Sequence, residues 1–137
     1  MFNVLCGNTD DHARNHAAFW DGEALTLTPA YDICPQTRTG FEASQAMLIS
    51  GNDRMSRVSS CLRAAPQFLL STQQATAIAE ALLTAVITHW NAVCDQAELS
   101  PVDRHHLWGR QFLNPYAFDD LDGDAASLRR LAKDALT

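Results

Sequence analysis

Ser71-Thr72-Gln73-Gln74 is the stretch that most limits how this chain can fold. A serine hydroxyl can cap the amide three residues on, and the glutamine there can reach back to the serine amide. The box opens a long helix running to about Glu98, with Ile78, Leu82, Ala85, His89 and Val93 on one stripe. Ahead of it, Met55, Val58, Leu62 and Ala65 recur at three- and four-residue steps and predict another helix. Behind it, Ser100-Pro101-Val102-Asp103 starts the next one, with proline at its favoured first position. Asp124 is the expected cap of a last short helix through Leu136. The first third reads differently. Ala17–Trp20 and Ala24–Thr28 are short apolar or β-branched runs joined at Asp21-Gly22, a hairpin signal. A loop from Cys34 to about Ser44 and a short extended segment at Ala46–Ile49 follow. The expected fold is mainly α: a small β-hairpin with a polar loop, then a helical bundle.

Composition bounds the function classes. With 137 residues, 47% of them apolar and 19% charged, the chain is expected to be one ordinary globular domain. Its net charge of −6 and scattered basic residues give no stripe for nucleic acid or an anionic membrane. Arg54, Arg57 and Arg63 could share a helical face, most simply as a solvated stripe. Cys6, Cys34, Cys61 and Cys94 show no paired spacing, so free buried thiols in a reducing cytoplasm are expected. No apolar run is read as reaching the roughly 18 residues of a membrane span. Met1–Cys6 reads as the tail of a helix closed by Gly7 with no first turn ahead of it, as in a truncated or subdivided protein.

The chemistry concentrates in LCGNTDDHARNHAAFW, residues 5–20. His12 and His16 are four apart, which suits a zinc site on a helix, but Gly7-Asn8-Thr9-Asp10 is turn chemistry and no third soft ligand follows. Phosphoryl transfer fits better. It needs a carboxylate to orient a hydroxyl and oxygen ligands to hold Mg²⁺ against nucleotide phosphates. Asp10 and Asn15 form an Asp-x-x-x-x-Asn unit, and Asp32 returns after the hairpin as a second carboxylate. Asn15 and Asp32 are hard oxygen donors that suit Mg²⁺ rather than zinc. Protein-kinase sites use the same order of parts.

These residues resemble a known family. GNTDDHARN followed by LTPAYDI is similar to the C-terminal domain of HipA-like serine/threonine kinases, the toxin halves of bacterial toxin–antitoxin pairs. FLNPYAF, residues 112–118, resembles a segment near the end of many such domains, so the likeness spans about residues 2–118. It implies a lobe over residues 1–120 resembling the C-terminal lobe of a protein-kinase-like fold, with residues 121–137 a helical tail packed on it. It further implies Asp10 as catalytic aspartate, Asn15 and Asp32 as magnesium ligands, and His12 and Tyr31 beside the nucleotide. ATP and Mg²⁺ are the implied cofactors. A protein substrate such as a translation factor or an aminoacyl-tRNA synthetase, and a helix-turn-helix antitoxin, are the implied partners. The simpler roles remain for the neighbours: Asp11 solvated, His12 a loop organiser, His16 structural, and Tyr31 packed beside the metal aspartate. Trp90, Trp108 and Phe112 read as core residues, and His105-His106 carry no role.

A kinase also needs a glycine-rich loop and a strand-borne lysine. None of the six glycines cluster, and the one lysine is Lys133. A missing N-terminal lobe, in cis or in trans, is therefore expected, and activity of the isolated chain is in doubt. Two other readings stand beside this one: a non-catalytic remnant or binding subunit completed by a separate lobe, and a metal-dependent hydrolase built on Asp11, His12 and His16.

Overall fold

The computed structural model describes all 137 residues. A short helix α1 (Phe2–Leu5) buries Val4 and Leu5 and ends where Gly7 enters the left-handed region at φ 70. The polar stretch follows as open loop and one 3-10 turn, Ala13–Asn15. Strands β1 (Ala18–Trp20) and β2 (Leu25–Leu27) pair antiparallel, Ala18 opposite Leu27 and Trp20 opposite Leu25. Asp21 shapes the connection, its carboxylate accepting from the amides of Glu23 and Ala24. The chain then runs irregularly to α2 (Val58–Arg63). The extended segment expected at Ala46–Ile49 does not pair as a strand. Isolated bridges flank it instead, Ser44 with Met55 and Ser50 with Asp53, and Ala46 donates its amide to the Thr9 carbonyl.

The remainder is helical and mainly α with the one small hairpin. Helix α3 (Thr72–Gln96) starts on the expected capping box: Ser71 accepts from the Gln74 amide and the Gln74 side chain accepts from the Ser71 amide. Helix α4 (Pro101–Leu107) is capped by Ser100. Helix α5 (Ala126–Ala135) lacks the expected Asp124 cap. Asp124 lies inside a 3-10 turn, Gly123–Ala125, that runs straight into the helix. The buried face of α3 also differs from expectation. Ala75, Ala79, Leu83 and Cys94 are buried, whereas Ile78 and Val93 remain exposed. The reason is packing. Small alanines let α2 and the turn at Ala65–Phe68 approach closely, and an alanine-rich helix offers more than one apolar stripe. By length and composition α3 does reach what a membrane span requires, contrary to the sequence reading, although its neighbours here are α2 and α5.

One core joins the two ends of the chain. Val4 and Leu5 of α1 pack with Val58, Leu83, Leu113, Phe118 and Leu128. Trp90 stacks at 4.7 Å from Trp108 and 4.9 Å from Phe112, half-buried at the rim of that core. The basic residues near α2 form no free stripe: Arg57 pairs with Asp119 and Asp120, and Arg63 with Asp53. All four cysteines are free, but only Cys6 and Cys94 are buried; Cys34 is exposed and Cys61 partly so.

Two outcomes follow for stability. A Cβ at Gly7 would meet the Gln111 carbonyl oxygen at 2.5 Å, whereas one at Gly51, also at positive φ, would meet nothing. Gly7→Ala should lower stability by at least about 2 kcal/mol, and Gly51→Ala by only about 1 kcal/mol of left-handed strain. Urea midpoints of the two variants compare them. Burial pushes the Asp53 carboxyl up, but the Ser60 hydroxyl, Arg63 and the Met55 amide outweigh it and hold the group at about 2. A depressed native value stabilises the fold above the ordinary carboxylate range, and that support fades as pH drops from about 4 towards about 2. Asp53→Asn should therefore flatten this part of the acid-unfolding curve.

Candidate active site

The polar loop is held by its own amides. Gly7 turns the chain out of α1, and Asn8, 2% exposed, follows in the interior. The Asn8 side chain donates to the Asn3 carboxamide oxygen at 3.1 Å and to the Asp32 carbonyl at 3.4 Å. Seven residues on from Asn8, the buried Asn15 closes the 3-10 turn. Its oxygen accepts the His12 amide at 3.2 Å, and its nitrogen donates to the Asp32 carboxylate. Asp32 sits at φ 56, a left-handed conformation that aspartate tolerates better than most side chains. Its carbonyl is thus tied to Asn8 and its carboxylate to Asn15, on opposite sides of one residue.

The hairpin makes this meeting possible. It reverses the chain between Ala18 and Leu27, so Asp32 returns beside the turn that Asn15 ends. Tyr31 braces the same turn, its hydroxyl donating to the Arg14 carbonyl at 2.8 Å. Asn15 and Tyr31 line a small cavity of about 130 Å³, with Asp11, His16 and Ile33 in its wall. Asp11 and His16 pair with each other at 2.9 Å. The His12 ring is half-buried, and its Nδ1 has no partner. Asp10 stands exposed and pairs with none of the chain's cations.

Of the residues singled out from the sequence, Asn15 and Asp32 are brought into contact, with Tyr31 alongside through the Arg14 carbonyl. Asp10 lies five positions before Asn15 in the same loop, free of side-chain partners. Asn15 turns its nitrogen toward Asp32 and its oxygen toward the His12 amide, so within this pair the Asp32 carboxylate is the hard oxygen group that suits a cation such as Mg²⁺. No three His, Cys, Asp or Glu side chains converge, so a hydrolase centre on Asp11, His12 and His16 has no ligand set. Sequence reasoning missed Asn8. Its place beside Gly7 is visible, but its burial depends on the return of Asp32 from across the hairpin.

The region that carries the loop and hairpin also carries a family match. The model of HipA-like C-terminal domains matches residues 1–90, which span the loop, the hairpin, α2 and most of α3. The chain belongs to the family of HipA-like C-terminal domains. No curated protein and no solved structure matches it.

Asn15→Ala would strand both the His12 amide and the Asp32 carboxylate. The variant should lose about 1–3 kcal/mol of stability. Amide exchange at His12 should rise with it, and hydrogen-exchange mass spectrometry of the loop peptide measures that directly.

Proposed function

We propose that this chain is the catalytic and metal-binding lobe of a HipA-like serine/threonine protein kinase, moving the ATP γ-phosphate to a protein hydroxyl. The observation that supports this most is the contact of Asn15 with Asp32 across the hairpin, with the unpaired Asp10 upstream in the same loop. In the proposed roles Asp10 orients the hydroxyl of the substrate and accepts its proton. Asn15 and Asp32 would hold Mg²⁺, which supplies charge neutralisation for the phosphates. The Asn15 oxygen already receives the His12 amide, so a carbonyl lone pair remains to face a cation. Tyr31 fixes the 3-10 turn through the Arg14 carbonyl, and His12 borders the nucleotide. A toxin role against a translation component, in the cytoplasm and under an antitoxin's control, belongs to the same proposal.

A phosphate grip must come from elsewhere than these residues. Lys133, the one lysine, is on α5, and no glycine-rich loop occurs in the sequence. Losing a charge-stabilising group costs on the order of 10²–10³ in rate, so the chain alone should show negligible transfer. A radiolabel assay is expected to give no turnover for the isolated chain. When the lobe carrying the loop and lysine is supplied in cis or in trans, turnover should appear and vanish with Asp10→Ala. Turnover insensitive to Asp10→Ala would overturn the assignment.

A further inference from the structure

A second polar cavity shares no lining residue with the one at the candidate active site, and no hydrophobic side chain lines it. It holds about 440 Å³ between the loop after Asp32 and helix α4 with its C-terminal extension. Thr37 and Arg38 come from the loop, and His106, Arg110, Gln111 and Asn114 from the other wall. The lining contains no acid. That stands out in a chain of net charge −6 where Arg57 pairs with Asp119 and Asp120, Arg63 with Asp53 and Arg104 with Asp95.

Arg38 and Arg110 have no carboxylate partner at all. The Arg38 guanidinium gives one hydrogen bond to the Phe41 carbonyl, and its Nε and Nη1 are buried without a partner. Burial pushes this group below its ordinary value, the mark of a cation short of compensation. Gln111 is 6% exposed, and its carboxamide oxygen also lacks a partner. A half-turn of that amide replaces the oxygen with an N–H donor at no change in shape. The Asn114 amide is already spent on the Arg110 carbonyl and the Tyr116 amide. The unpartnered atoms of Arg38 and Gln111 are themselves closed off from the cavity, and the side chains that line it with donors are Arg38, Arg110, His106 and Thr37.

We infer that this cavity is a binding site for a phosphate monoester dianion. A planar guanidinium matches two oxygens of a phosphate at once. The α4 wall lies beyond residue 90, where the family match ends. It also touches the candidate active site through the backbone. Gln36 donates its amide to the Gly7 carbonyl, and Gly7 packs on the Gln111 backbone. An anion held by Arg38 and Arg110 would tie the loop leaving Asp32 to the far wall.

The test titrates the full chain with inorganic phosphate, and separately with a short phosphoserine peptide, in Mg²⁺-free buffer containing a chelator. Calorimetry gives the affinity and the arginine Nε–H resonances report the location. Saturable binding that shifts Arg38 and Arg110 is expected. Arg110→Gln should weaken it about tenfold, the loss of one charge-assisted pair. Arg110 is exposed and makes no side-chain bond, so that variant keeps the fold. Arg130→Gln, an exposed change on α5 away from the cavity, should leave the affinity unchanged. The peptide binding more tightly than free phosphate assigns the dianion to a modified protein side chain, and the reverse assigns it to a small phosphorylated molecule. No saturation, an Arg110→Gln affinity equal to the parent's, or an equal loss on Arg130→Gln would each overturn the site.

Discussion

The whole molecule hangs on a seam where the end of α1 meets the segment after α4. The Leu113 amide donates to the Leu5 carbonyl at 2.8 Å, and two residues later Gly7 presses against the Gln111 backbone. No side chain fits between these strands of backbone, so the approach requires glycine. Leu5 and Leu113 are both fully buried on either side of the seam, with Tyr116 and Phe118 just beyond. A hydrogen bond between two apolar anchors is shielded from water, and this one fixes where the chain leaves the core. The polar loop starts at that exit. Its position relative to the bundle is thus set by residues more than a hundred positions away.

From the seam outward, amides rather than apolar contacts carry the organisation. Asn8 and Asn15 are both buried, and each bonds Asp32. A buried carboxamide left without partners costs about 1–3 kcal/mol, so each asparagine holds only if Asp32 comes back to meet it. The loop and the residue after the hairpin therefore order one another. This explains how a hairpin whose six strand residues are all exposed retains a defined place. Two strands alone are marginal in water. Here the connection to Asp32 and the Tyr31–Arg14 contact anchor its base.

Much of this could be read from the residues. The capping box at Ser71, proline after Ser100, the left-handed Gly7 and the Asp21 turn are local signals, each fixed by chemistry within four residues, and each survives in the structure. The pairing of Asn15 with Asp32 was legible for a different reason, because motif spacing stands in for distant geometry. What was not legible depended on which surface meets which. The packed stripe of α3 follows from alanines at 75 and 79 accepting close neighbours, a fact about α2 as much as about α3. Arg57 and Arg63 looked solvated because Asp120 and Asp53 are remote in sequence. Asn8 was overlooked because a polar residue beside a glycine normally faces water.

The balance of charge around the loop bears on how the proposed reaction would be organised. Asp10, Asp11 and Asp32 bring three carboxylates to one region, against Arg14 and the imidazoles of His12 and His16. Asp11 already has His16 as its partner, and Asp32 has only an uncharged amide, which leaves its charge uncompensated. A triphosphate meeting such a surface is repelled unless a cation arrives with it. A divalent ion at Asn15 and Asp32 would reverse that sign, so metal and nucleotide binding should be strongly coupled rather than independent. The coupling places the demand for further positive charge on whatever covers the phosphates, because the loop's own cations are few.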